Sequence, residues 1–70
     1  MEKDTLKLLR LAKGFLDAED DFKAVRILRK LIKEKRGEHY PAEWLAERYF
    51  KRKEWKPALY YAQEAFEASE

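Results

Sequence analysis

Residues 8–15 of this 70-residue chain read LLRLAKGF, and residues 42–49 return to the same pattern as AEWLAERY. The shift that superposes them places Leu11 on Leu45 and Ala12 on Ala46, and we call it the repeat shift. Without a gap, the repeat shift also aligns four further pairs: Phe15 with Tyr49, Ala24 with Ala58, Leu31 with Ala65, and Ile32 with Phe66. The shift is 34 residues, from position 8 to position 42. A period of this length indicates two copies of one structural unit.

Apolar residues recur at helical spacing around these segments, and no stretch alternates with the period of two that strands require. The pattern predicts an all-α fold with helices at about 5–18, 21–36, 41–52 and 55–69. Gly37 is expected to end the second helix. Pro41 and Pro57 fall where a first helical turn tolerates proline.

One apolar stripe on each helix is expected to form the core. On the first helix we assign Leu8, Leu11, Ala12 and Phe15 to the core, which leaves Leu9 and Leu16 off it. On the second helix the predicted core residues are Ala24, Val25, Leu28, Leu31 and Ile32. On the third helix they are Leu45, Ala46, Tyr49 and Phe50. On the last helix they are Ala58, Leu59, Ala62, Ala65 and Phe66, with Trp55 at its entry.

The repeated spacing resembles the tetratricopeptide repeat, whose pattern is Trp-x2-Leu-Gly-x2-Tyr followed by a small residue and an aromatic one. It implies four antiparallel helices in two helix-turn-helix hairpins, a fragment of an α–α superhelix, with repeats at about 5–37 and 38–70 in a single domain, 1–70. An unrelated four-helix bundle is the alternative. The chain departs from the family at several positions: Leu8 and Ala42 replace Trp, Ala62 replaces an aromatic residue, and Arg36 and Glu70 replace a closing proline.

In proteins of this family, the first helix of each hairpin lines a concave groove that holds a peptide or a partner's helix. The resemblance therefore implies a protein-interaction module or small scaffold subunit, and we add Trp44 because tryptophan is enriched in binding hot spots. The partner-binding residues predicted in this way are Leu9, Lys13, Leu16, Tyr40, Glu43, Trp44, Glu47, Phe50 and Lys51. The family's clamp for C-terminal carboxylates needs Asn, which this chain lacks.

Two other functions remain open. Two repeats are fewer than the three usually needed for stability, so the chain can instead be a self-associating helical repeat, natural or designed, with Tyr60, Tyr61 and Phe66 on the contact face. Its scarcity of Asn, Gln and Met is typical of thermophilic proteins and equally of designed ones. A basic stripe on the second helix could bind nucleic acid, although a solvated helix face is the commoner role for such a stripe: Arg26, Arg29, Lys30 and Lys33.

Charge is divided unevenly between the two repeats. Residues 1–37 carry eleven Lys and Arg against seven Asp and Glu, and residues 38–70 carry five against seven, so the net charges are +4 and −2. This asymmetry indicates that electrostatics helps to select the partner.

The residues needed for catalysis are scarce. The chain has no cysteine, one histidine (His39), one serine (Ser69) and no glycine-rich phosphate loop, so we expect neither an enzyme nor a cofactor or metal site. The N-terminus is polar, and no apolar run approaches the ~20 residues that span a bilayer. We therefore expect a cytoplasmic protein without membrane contact.

Overall fold

The computed structural model describes all residues, 1–70, and contains four α-helices and no strand. They are α1 (Lys3–Asp17), α2 (Asp21–Lys33), α3 (Tyr40–Lys51) and α4 (Trp55–Ala68). Helix accounts for 77% of the chain, which confirms the predicted all-α class. Every predicted helix boundary lies within three residues of the observed one.

The helices pair as two hairpins, with α1 against α2 and α3 against α4. Each hairpin is a compact unit, the first spanning Met1–Gly37 and the second Glu38–Glu70. The boundary between the two units, after Gly37, is also the boundary between the two copies of the repeat.

The two hairpin turns end their first helices with the same hydrogen bonds. The amide of Asp20 donates to the carbonyl of Phe15 over 2.8 Å, and at the matching position of the second copy the amide of Glu54 donates to the carbonyl of Tyr49 over 2.9 Å. The residue before each donor has a left-handed φ, 60° in the first turn and 61° in the second. This geometry caps the free carbonyls at a helix C-terminus and usually uses glycine, but here it is formed by Glu19 and Lys53.

The prediction that Gly37 ends the second helix is wrong, because α2 ends at Lys33. The same capping geometry forms earlier, with Lys35 at a φ of 54° and the amide of Arg36 donating to the carbonyl of Leu31 over 2.8 Å. Gly37, at a φ of 84°, lies in the segment that leads to the second unit.

The core of the first unit uses a different stripe of α1 from the one predicted. Leu9 is only 5% exposed, whereas Leu11 is 50% exposed, and Leu8 and Phe15 are half-buried. Ala12 belongs to both stripes, which is why the apolar pattern alone selects the wrong one. The complete set of buried residues in the two helices is Thr5, Leu9, Ala12 and Leu16 on α1 and Ala24, Leu28 and Leu31 on α2.

The second unit buries fewer large side chains. Leu45 and Ala58 are buried as predicted, together with Pro41 and Ala42. The prediction of a core position is wrong for Trp55 and Leu59, which are 52% and 72% exposed. Phe50 and Phe66, which the sequence places both on a core stripe and on a binding face, are 65% and 67% exposed and so are not in the core. Most of the apolar face of α4 is therefore open to solvent.

Arg36 links the two ends of the first unit. Its Nε donates to Oγ1 of the buried Thr5 over 3.0 Å, and its terminal nitrogens pair with Glu2 over 3.1 Å and with Glu34 over 2.7 Å. The hydrogen bond from Arg36 holds the pKa of the Glu34 carboxyl below its ordinary value of 4.5. The guanidinium thus connects the start of α1 to the end of α2.

Truncating the two leucines of α1 tests the observed core. We expect Leu9→Ala to lower the free energy of unfolding by about 2–5 kcal/mol, because it leaves a cavity in the core. Leu11→Ala should cost less than about 1 kcal/mol, because its side chain is half exposed. Denaturant unfolding of both variants at high dilution measures the difference, and an equal cost would restore the stripe predicted from the sequence.

The Glu34 contact makes stability depend on pH. A carboxyl whose pKa is lower in the folded state stabilises the fold above its ordinary pKa, and this stabilisation is lost as pH falls through the folded value. We expect Glu34→Gln to flatten the decrease in Tm as pH falls below 4.5, the ordinary pKa of this carboxyl. Glu70→Gln, which removes a carboxylate outside this network, is the control, and an equal flattening in both variants would contradict the assignment.

Candidate functional site

An open apolar groove lies between the two helices of the second unit. We call it the α3/α4 groove, and its volume is about 560 Å³. Its lining residues are Ala46, Glu47 and Phe50 from α3 and Trp55, Ala58, Leu59 and Ala62 from α4. Glu47 is the one charged residue among them, so the groove is suited to an apolar ligand surface.

Small and large side chains alternate in this lining. The three alanines leave room beside the bulky Phe50, Trp55 and Leu59. The rings of Phe50 and Trp55 meet edge to face, with their centroids 5.4 Å apart. This arrangement is favourable for aromatic pairs and fixes both rings at the same part of the groove.

The exposed face of α4 extends beyond the groove. Trp55, Leu59, Ala62 and Phe66 follow one another at intervals of four, three and four residues, so they share one side of the helix. All four are exposed to solvent. Exposed single apolar residues are common, whereas a continuous apolar face of this kind is typical of an interaction surface.

A second aromatic cluster lies at the start of α3. The rings of His39 and Tyr40 are 4.2 Å apart, and those of Tyr40 and Trp44 are 6.2 Å apart. Nε2 of His39 lies 3.3 Å from a carboxylate oxygen of Glu43. Three of the predicted binding residues, Tyr40, Glu43 and Trp44, thus belong to one cluster, with Tyr40 exposed and the other two half-buried.

Two of the predicted partner-binding residues are not on an open surface. Leu9 and Leu16 are 5% and 9% exposed, because α1 directs the stripe that contains Ala12 and both leucines into the core. Lys13, Glu47 and Lys51 are exposed as a binding role requires. Glu47 and Phe50 are the two predicted site residues that line the α3/α4 groove.

Sequence reasoning missed the α4 side of the groove. Trp55, Leu59 and Ala62 were assigned to the core, because their helical spacing is the same whether a face is buried or open. The small number of helices predicts an uncovered apolar face, and from it the sequence predicts a contact face on α4 at Tyr60, Tyr61 and Phe66, but not the residues that line the groove.

The first unit has a groove of different character between α1 and α2. This α1/α2 groove has a volume of about 370 Å³ and combines Leu8, Phe15 and Ile27 with three cationic residues, Lys23, Arg26 and Lys30. Nζ of Lys23 lies 5.4 Å from the centre of the Phe15 ring, within the range of a cation–π contact. Part of the basic stripe predicted on the second helix therefore borders apolar residues.

Three further features concern protonation, metal binding and membrane contact. A hydrogen bond with the Glu64 carboxylate raises the pKa of the Tyr60 hydroxyl above its ordinary value of 10.0. No cluster of three or more His, Cys, Asp and Glu residues has the arrangement needed to hold a metal ion. None of the four helices is both long enough and apolar enough to cross a membrane.

Comparisons of the chain with protein-family models, curated proteins and solved structures found no match.

Single-tryptophan variants test the open geometry of the groove. Trp44→Phe leaves Trp55, which is 52% exposed, and Trp55→Phe leaves Trp44, which is half-buried. At high dilution we expect acrylamide to quench the fluorescence of Trp55 more strongly than that of Trp44, because quenching follows access to the indole ring. Equal quenching would show that the α3/α4 groove is covered.

Proposed function

We propose that this chain is a protein-interaction module whose α3/α4 groove binds the apolar face of an amphipathic helix. The observation that carries the proposal is the exposure of Phe50, Trp55 and Leu59 around one groove, at 65%, 52% and 72%. Covering such side chains is favourable by about 25 cal/mol for each Å² of apolar surface removed from water.

The shape of the groove favours a helix over an extended peptide. A helix that lies in a groove inserts side chains at intervals of three and four residues, and the alanines of the lining leave room for such anchors. A peptide that binds by adding a strand to a sheet has no edge to pair with here, because the chain has no strand.

The residues at the edge of the groove add charge selection. Glu47 lines the groove, and Lys51, exposed, follows Phe50 at the end of α3. Charges at the rim of an interface affect the rate of association and the choice of partner more than affinity. The cluster of Tyr40, Glu43 and Trp44 at the other end of α3 is proposed to extend the contact for a longer partner.

The proposal keeps the resemblance to tetratricopeptide repeats but relocates the site. The repeat shift and the matching hydrogen bonds of the two hairpin turns support two copies of one unit. The binding surface proposed here includes the apolar face of α4, whereas the resemblance implied the first helix of each hairpin. On this proposal the chain acts as a scaffold subunit that assembles proteins and catalyses no reaction.

A library of displayed helices tests the groove. We would select amphipathic helices of about 15 residues for binding to the chain and then measure their affinity for two variants. Leu59→Glu places a charge in the groove and should weaken binding at least 10-fold. Phe22→Glu, at a 73% exposed position on α2, is the matched control and should bind as the parent does.

Circular dichroism of both variants would establish that each remains helical. Selected helices that bind Leu59→Glu and the parent equally well would contradict the proposal, and so would a library that yields no binder.

A further inference from the structure

The identity of a helix that fits the groove follows from comparing the two units. Resting on the proposed function of the α3/α4 groove, we propose that its occupant is α1 of a second copy of the chain. Copies would then associate head to tail, with the second unit of one molecule receiving the first unit of the next.

The second unit exposes residues whose counterparts in the first unit are buried. Phe50 is 65% exposed, whereas Leu16, its counterpart under the repeat shift, is 9% exposed. Ala62 is exposed, whereas its counterpart Leu28 is fully buried. Four of the seven groove positions therefore have a buried counterpart in the first unit: Ala12, Leu16, Ala24 and Leu28.

The first unit shows the opposite difference on α1. Leu11 is 50% exposed, whereas its counterpart Leu45 is fully buried. Leu8 is half-buried, whereas its counterpart Ala42 is 3% exposed. One face of α1 is thus apolar, helical and partly open to solvent, which is the type of ligand that the α3/α4 groove is proposed to bind.

These two faces are different surfaces at different ends of the sequence. If two α3/α4 grooves paired with each other, the face of α1 with Leu8 and Leu11 would stay open. In a head-to-tail array each inner copy has both its groove and its α1 face covered, so more apolar surface per copy is removed from water.

Charge favours the same pairing. The first unit has a net charge of +4 and the second −2, and like units would repel each other. Lys23, Arg26 and Lys30 border the apolar residues of the α1/α2 groove. Glu47 is the one charged residue that lines the α3/α4 groove, and the last turn of α4 has no basic residue that would repel these three cations.

A contact between two different surfaces has a consequence for assembly. Each copy has one α1 face and one α3/α4 groove. A pair uses one of each and leaves the other of each free, so a third copy could add at either end. We therefore expect the mass to rise with concentration beyond that of a dimer.

Two blocked variants test this arrangement. Leu11→Glu should block the α1 face and leave the groove intact, whereas Leu59→Glu should block the groove and leave the α1 face intact. By light scattering, each variant alone should be a monomer of about 8.5 kDa over a hundredfold dilution series. An equimolar mixture should form a dimer of one copy of each, because it retains one intact face of each kind.

Other outcomes would overturn the inference. A parent chain that is monomeric throughout the series excludes self-association. If Leu59→Glu alone is monomeric, Leu11→Glu associates as the parent does, and the mixture forms no mixed dimer, then two grooves pair with each other. Arg26→Glu, an exposed charge reversal bordering α1, provides a second block of the first face should Leu11→Glu lose helicity.

The groove proposal and this inference can fail separately. The Leu11→Glu variant keeps a free groove, so a library-selected helix should bind it. If that helix binds and the parent is monomeric, the partner is another protein and only the inference falls. If no helix binds and the parent is monomeric, both proposals fall.

Discussion

A helical hairpin is only two helices thick, and this limits what its own residues can cover. Ala12 and Ala24 are fully buried and Ala58 is 6% exposed, so the helices of each pair can approach closely through small side chains. Small residues at the contact leave the larger apolar residues on either side of it, where a second layer is needed to exclude water. The grooves, the exposed face of α4 and the proposed partner all follow from this geometry.

The sequence predicted the helices well, because their signals are local. Helical spacing and the positions of proline and glycine placed all four helices to within three residues. The prediction is less accurate for the end of α2. The left-handed residue that follows this helix is Lys35, whereas the sequence predicts that Gly37 ends it. Local rules describe such an ending, but they do not say which of two nearby residues will form it.

The core and the site depend on what lies next to each helix, and no local pattern contains this information. On α1, two apolar stripes share Ala12, so periodicity could not decide between Leu9 and Leu11. On α4, the spacing of Leu59 and Phe66 correctly indicated a common face but not its exposure. Phe50 and Glu47 were predicted as site residues from a family resemblance, and they line the groove together with residues that had been assigned to the core.

If a partner's helix and α1 of a second copy compete for the same groove, binding and assembly are linked. A helix that occupies the groove of the last copy in an array prevents the next copy from adding there, so partner binding would shorten the array. The reverse also holds: at high concentration of the chain, the partner must displace α1 and binds with lower apparent affinity. Because the first unit is basic and the second acidic, raised salt would weaken contacts between copies more than it weakens the apolar binding of an uncharged helix. A chain of this kind could change from a self-assembled array to a set of single modules in response to the supply of partner, without any change in its fold.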